Sequence, residues 1–185
     1  MLERVAAAVV IETERLRLRP WRAADDLPAL AALNADPDVM RWIAPNRPLR
    51  SDETAALLAR IEDHWRRHGY GLWAVEPRED GAGCIGFAGL AIPVFLPDVL
   101  PAVEVGWRLR RAWWGRGLAT EAARASVAHG FGALGLRSVV SIIDPSNARS
   151  LRVAEKLGMR PAGDRLHPVT GQRLRVMEVR AAEGP

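Results

Sequence analysis

A chain of 185 residues with 49% apolar and 26% charged residues is long enough for one well-filled core and short for two, so a single domain over 1–185, with its core at about 11–180, is expected. The net charge of +4 comes almost wholly from arginine, with Lys156 the lone lysine, and these arginines alternate with acids and apolar residues instead of forming a basic stripe, which argues against nucleic-acid binding. Cys84 is the single cysteine, which excludes an internal disulfide and a cysteine-rich metal site; the longest apolar run, Val5 to Ile11, is too short for a bilayer span, so a cytoplasmic protein without membrane attachment is expected.

In chain order, "ERLRLRPW" alternates leucine and arginine with the period of a half-buried strand, read as Glu14 to Arg19 and closed by Pro20. "ADDLPALAALNADP" reads as a short helix, with Pro28 in its first turn and Leu27, Leu30, Ala31 and Asn34 on one face. A longer helix follows, capped by Ser51, striped by Leu57, Leu58, Ile61 and Trp65, and stopped by Gly69. Strands at Gly71 to Glu76, Cys84 to Leu90 and Ala102 to Leu109 predict an antiparallel meander. Leu118 to Leu134 has helical composition, and "RSVVSII" is a continuous apolar run suited to a strand buried on both faces, so the unit reads strand, helix, parallel strand. A helix in "DPSNARSLRVAEKLG", capped by Asp144 or Ser146 and stopped by Gly158, precedes strands near Arg160 to Leu166 and Arg173 to Arg180. The resulting order is β-α-α-β-β-β-α-β-α-β-β.

"RRAWWGRGLATEA" places Gly115 and Gly117 at the mouth of the third helix. The first amides of a helix lack intrahelical partners and carry partial positive charge, so bare backbone there suits a phosphate. A tight strand-to-helix turn without ligand fits the same glycines. A Walker loop is excluded because the lone lysine lies far away, and a dinucleotide loop wants Gly or Ala where Thr120 stands. The four histidines, His64, His68, His129 and His167, have no ligand spacing, so no metal is expected; His64 and His68 are read as exposed, and Cys84 as a small core residue inside its strand. Trp113 and Trp114 read as packing anchors.

"AVEVGWRLRRAWWGRGLATEAARA", followed after one strand by "NARSLRVAEKLGM", resembles the acyl-CoA-binding half of the GNAT N-acetyltransferases, and "ETERLRLRPW" is similar to the RimJ/RimL-like branch of ribosomal-protein N-acetyltransferases. The resemblance implies an α/β acyl-CoA N-acyltransferase (GNAT) fold: a mixed, mostly antiparallel sheet with splayed fourth and fifth strands, flanked by helices. In that family an R/Q-x-x-G-x-G/A loop receives the pyrophosphate of coenzyme A, and the segment Arg111 to Gly117 is read as its match. By this likeness, amides of Trp114, Gly115, Arg116, Gly117, Leu118 and Ala119 hold the pyrophosphate. Leu109 and its strand neighbours, Trp107 among them, line the pantetheine arm. Acetyl-CoA is the implied cosubstrate, and an amine on a small molecule or a protein N-terminus the acceptor, with a homodimer as an option.

Transfer to an amine needs a base for the amine and a proton for the departing thiolate. Glu104 is a carboxylate within the otherwise apolar "AVEVGW", on the strand face shared with Gly106 and Arg108, where partial burial would suit it as general base. A solvent-facing glutamate paired with an arginine fits the same residues. Many GNAT enzymes carry a proton-donating tyrosine seven residues after the helix asparagine; here Ala154 stands there, and Tyr70 is the only tyrosine. The RimJ/RimL-like pattern Asn-x-x-Ser is matched by Asn147 and Ser150, which implies Asn147 as an anchor for the pantetheine arm and Ser150 as the thiolate's proton donor. Both could equally decorate a helix's first turn, and Arg149 or Arg152 could reach the 3′-phosphate of coenzyme A. A non-catalytic CoA-binding sensor of the same fold is the alternative function.

Overall fold

The leucine–arginine alternation does what its period predicts. In the computed structural model, which describes residues 9–79 and 81–182, Leu16 and Leu18 are fully buried on strand β2, Leu16–Arg19, and Arg17 is exposed. A two-residue strand, β1 (Ile11–Glu12), pairs ahead of it and was not foreseen, being too short to show a period. Helix α1 (Ala23–Asn34) starts early enough that Pro28 lies inside it, past the first turn. One turn of helix, α2 (Pro37–Met40), is capped by Asp36, whose carboxylate accepts from the Asp38 amide. Helix α3 (Ser51–His68) begins with Ser51 as its first residue and not as its cap; Glu53 reaches back to the Arg50 amide at 2.8 Å, and Gly69, at φ 73°, ends the helix.

The meander then forms: β3 (Leu72–Pro77), β4 (Gly86–Ala91) and β5 (Glu104–Leu109). Cys84 is buried as expected but lies just ahead of β4, its thiol donating to the Gly86 carbonyl. Helix α4 (Leu118–Gly132) leads to β6 (Ser138–Ile143), α5 (Ala148–Lys156), β7 (Arg160–Leu166) and β8 (Arg173–Arg180). Asn147, not Asp144 or Ser146, caps α5: its Oδ1 accepts from the Ser150 amide at 3.1 Å, while Asp144 closes a turn with the Ser146 amide. Among the described residues no helix is long and apolar enough to cross a membrane.

One eight-stranded sheet runs β1-β2-β3-β4-β5-β6-β8-β7, antiparallel at every step except the parallel β5–β6 contact. On one face α4 closes a core of Leu16, Leu18, Trp73, Ala88 and Leu109 with its own Leu118 and Ala122. Farther along, the same helix packs with α5 around Leu90, Val139, Ile143, Ala154 and Met177. The small residues Ala122, Ser126 and Gly130 are buried along α4; a side chain at Gly130 would press on Leu90 and Leu136 at 3.1 and 3.2 Å. α1 and α3 cover the opposite face through Leu30, Leu33 and Leu58 against Phe87.

A buried ion network ties this second layer to the sheet. Arg19, 4% exposed, makes two 2.8 Å bonds to Asp26 of α1 and a 2.6 Å bond to Glu76 of β3. Hydrogen bonding to Asp26 raises the Arg19 pKa against the cost of burial; burial works against Asp26 too, yet its bonds from Arg19 and the Arg22 amide hold its carboxyl below the usual range. Asp26→Ala strands a buried cation and is expected to cost about 3–5 kcal/mol, read as a lower urea midpoint at pH 7. As Asp26 is held low, its contribution is present above the unfolded carboxylate pKa and falls away below it, so the gap between wild type and variant should close under acid conditions. A midpoint unchanged at pH 7 would mean that the network contributes nothing to stability.

Candidate active site

β5 and β6 share a single register pair, Glu104 with Val140, supported by the Val140 amide donating to the Val103 carbonyl at 2.9 Å. One step on, the Ile142 amide donates to the Glu104 carboxylate at 3.3 Å instead of to a backbone carbonyl. Beyond that point β5 is hydrogen-bonded to β4 and β6 to β8, and the two strands diverge. The edge of β5 facing the gap is free to bond an extended, amide-bearing ligand as if it were an added strand.

Glu104 stands at the apex of this V, half-buried and without an ion pair among the described residues. Burial pushes its carboxyl up to about 7, opposed only by the Ile142 hydrogen bond. The solvent-facing, arginine-paired arrangement is therefore not the one adopted. Gly106 follows on the same face, and a side chain there would meet no atom within 4 Å, so the floor beside Glu104 is open.

The glycine stretch begins as a short 3₁₀ turn, Arg111–Trp113. The Trp114 amide donates to the Arg111 carbonyl at 3.0 Å, so it is not among the groups free for an anion. Its indole braces the loop: Nε1 donates to the Leu109 carbonyl at 2.7 Å, and the Arg149 guanidinium lies over the ring at 4.8 Å. Gly115 and Gly117 adopt φ of 77° and 79°, conformations that disfavour any side chain. Gly117 caps α4 with no side chain to fill the cap, and the helix's first bond runs from the Glu121 amide to the Gly117 carbonyl at 3.0 Å. The amides of Leu118, Ala119 and Thr120 are thus left without intrahelical partners. Leu118 and Leu109 are 5% and 4% exposed in the core beneath the loop, so Leu109 supports the loop from below and its side chain does not line the gap; Leu118 offers its amide alone. Trp107 is half-buried on the α4 side of β5, and Arg116 lies over the Trp113 ring at 4.8 Å.

Arg111 stands four residues before Gly115, one more than R/Q-x-x-G allows, so that motif position falls on Ala112. Its guanidinium is tied to Asp38 at 2.7 Å, joining the loop to α2. Arg15, which the sequence did not single out, borders the loop instead. It donates to the Arg116 carbonyl at 2.9 Å, pairs with Glu121 at 2.5 Å, and its Nη2 would lie 3.6 Å from a side chain at Gly117. No local signal could have found a partner 106 residues away.

The Arg149–Trp114 contact brings the first turn of α5 against the glycine loop. Asn147 and Ser150 occupy that turn, both half-buried, with the Asn147 oxygen engaged as the cap and the Ser150 hydroxyl making no hydrogen bond among the described residues. Ala154 is fully buried in the core. Tyr70 stacks edge-on against His64 at 5.2 Å, and His64 is not exposed as expected: Nε2 accepts from the Ile92 amide at 3.2 Å and Nδ1 faces the Tyr70 carbonyl at 2.9 Å. Burial holds the His64 pKa below its ordinary value.

Residues 15–160 match the family described as acetyltransferase (GNAT) domain. The chain is 32% identical to YkkB, an uncharacterized protein of Bacillus subtilis (strain 168), over 83% of its own length and 86% of that protein. It is also 32% identical to the acetyltransferase of Agrobacterium tumefaciens strain C58, whose crystal structure superposes with a TM-score of 0.77 over 94% of this chain and 95% of that one. RimL, a ribosomal alpha-N-protein acetyltransferase solved in complex with coenzyme A, shares the fold at 16% identity, with a TM-score of 0.73 and coverage of 93% and 98%. An eight-stranded mixed sheet that splays at a half-buried glutamate, a glycine-opened helix beside it and these matches identify the chain as a member of the GNAT acetyltransferase family.

Proposed function

We propose that the protein moves the acetyl group of acetyl-CoA to a primary amine by direct attack within a ternary complex. The observation that carries this reading is Glu104, a carboxylate raised to about 7 by burial at the point where β5 and β6 part. A group of that pKa is half ionised near neutrality and can take a proton from the acceptor's ammonium, directly or through a water, leaving the neutral amine to attack. The free edge of β5 supplies backbone amides that can polarise the thioester carbonyl and stabilise the developing oxyanion. As the nitrogen–carbon bond forms and the carbon–sulfur bond breaks, the Ser150 hydroxyl, unengaged among the described residues, donates to the departing sulfur. The amides of Leu118 to Thr120, with Arg15 alongside, fit the doubly charged pyrophosphate, and Asn147 keeps its amide nitrogen for the pantetheine arm. No acyl-enzyme is formed.

A non-catalytic CoA sensor is favoured by one observation: Ala154, fully buried, stands where many family members place a proton-donating tyrosine. Two measurements separate the readings. Thermal unfolding with acetyl-CoA, NADH or ATP is expected to show a rise with acetyl-CoA alone, as selective binding to the folded state requires. No rise at millimolar acetyl-CoA would withdraw both readings. Amine-dependent release of free thiol from acetyl-CoA then supports transfer, whereas binding without release for every amine tried leaves the sensor.

A further inference from the structure

Arg108 lies on the face of β5 that carries Glu104, with Gly106 between them. It is half-buried, and its surroundings differ from those of the fully buried Arg19. Arg19 has two carboxylates; Arg108 has no carboxylate within ion-pair distance among the described residues. Its Nη1 donates to Asn34 Oδ1 at 2.6 Å, its guanidinium lies 5.0 Å from the centre of the Phe87 ring, and its Nε is buried with no hydrogen-bond partner. Asn34 is itself fully buried and donates through Nδ2 to Thr54 of α3 at 3.3 Å, which turns its oxygen toward the arginine. α1 and α3 thus hold the guanidinium in place with dipoles alone.

A cation partly withdrawn from water and matched only by an amide oxygen and a ring face is incompletely compensated. Burial accordingly draws its pKa down to about 10. A side chain needed only to brace β5 against α1 would do so without a charge, or with a counterion as Arg19 does. Arg108 instead stands beside the open floor at Gly106, on the side of the sheet that Glu104 faces. With Nη1 committed to Asn34 and Nε closed off from solvent, Nη2, which makes no hydrogen bond among the described residues, is the donor left for a carboxylate.

We propose that Arg108 binds an anionic group of the acceptor, making the preferred substrates primary amines that carry a carboxylate. The inference rests on the acetyl-transfer reading and names the acceptor class for it. Glu104 and Arg108 are four strand residues apart, about 13 Å between Cα atoms, on one face of β5 with the open position at Gly106 between them. The acceptor is oriented from both ends, amine at the glutamate and carboxylate at the arginine.

Matched acceptor pairs test this. Thiol release from acetyl-CoA is measured with amino acids against their carboxamides, and with short peptides bearing Asp or Glu at the second position against the same peptides bearing Asn or Gln. At least one carboxylate series is expected to exceed its neutral partners about ten- to a hundredfold in kcat/KM; which series does so separates an α-carboxylate from an acidic side chain. Arg108→Gln should bring that ratio to near one by raising the acceptor KM while leaving the KM for acetyl-CoA unchanged, and Arg108→Lys should restore part of it. A measurement on the wild type alone guards against a variant that fails to fold: a deamino analogue of the best acceptor should compete with it, and the amide of that analogue should not. Ratios near one in both series of the wild type, a ratio that survives Arg108→Gln, or equal inhibition by acid and amide overturns the inference while leaving acetyl transfer standing. Acetyl-CoA binding with no transfer to any amine overturns the transfer reading and this inference with it.

Discussion

Glu104→Gln is expected to lower kcat about ten- to a thousandfold, the usual range for removing a general base, with the KM for acetyl-CoA nearly unchanged. Glu104 works as a base only when ionised, and its pKa is raised by burial to about 7, so wild-type kcat/KM should climb with pH to a plateau just above that value. The variant has no such group, and that limb of its profile should be flat. Stability should move the other way. A carboxyl raised from 4.5 to about 7 is protonated in the folded protein where it is already ionised in the unfolded chain. Its favourable contribution is complete below pH 4.5 and is lost as pH rises through about 7. Above that, the fold carries a desolvated anion with no counterion among the described residues. The neutral glutamine keeps the side chain's length and an acceptor for the Ile142 amide, so at pH 8 the variant should be more stable by on the order of 1–3 kcal/mol, with the difference gone in acid. Thermal melts at pH 5 and pH 8 beside a pH–rate profile read both signs. Near-wild-type turnover at saturating substrates would remove Glu104 from the chemistry, and a variant less stable at every pH would make it a structural residue.

That opposition explains why the glutamate was legible in the sequence. A charge within "AVEVGW" breaks the apolar rule of a strand, and such a break persists where function requires it. Local periodicity was equally informative for Leu16 and Leu18 and for the stripe of α3; "RSVVSII" forms its strand, with Val139, Ser141 and Ile143 buried on one face but Ser138 and Ile142 only half-buried on the other. Other features carry no local signal. Asp144, Ser146 and Asn147 are all able caps within four residues, and only the folded backbone selects Asn147. Arg19 finds one partner seven residues away and another 57 away, and the Arg15–Glu121 contact closes over 106. Spacing along a strand places Arg108 on the face of Glu104, yet the missing counterion becomes visible only once α1 and α3 have been packed above it. Arg111 illustrates the converse: a charged residue next to a motif drew the motif toward it, whereas the fold uses it to hold α2.

Gly117→Trp is expected to raise the dissociation constant for acetyl-CoA about a hundredfold or more, since blocking two charge-assisted hydrogen bonds removes about 1.5–3 kcal/mol each. The backbone there leaves room for the root of a side chain. A Cβ built there has one neighbour within 4 Å, Arg15 Nη2 at 3.6 Å, so the protein should still fold. The left-handed backbone at φ 79° adds strain of about 1–2 kcal/mol for any residue with a Cβ, less than the typical stability of a domain. An indole rooted at the helix cap would stand over the amides of Leu118 to Thr120, where the pyrophosphate is assigned. Gly117→Ala separates occlusion from strain, because it carries the backbone penalty with almost none of the volume; its dissociation constant should change by less than about tenfold, as a lost methyl-sized clearance is a small perturbation. Calorimetric titration of both variants with acetyl-CoA, after each is shown to melt cooperatively, decides the matter. Equal large losses would mean that the backbone conformation itself presents the amides. Undiminished affinity in the tryptophan variant would mean that Gly115 and Gly117 only turn the chain into α4 and that the anion is held elsewhere.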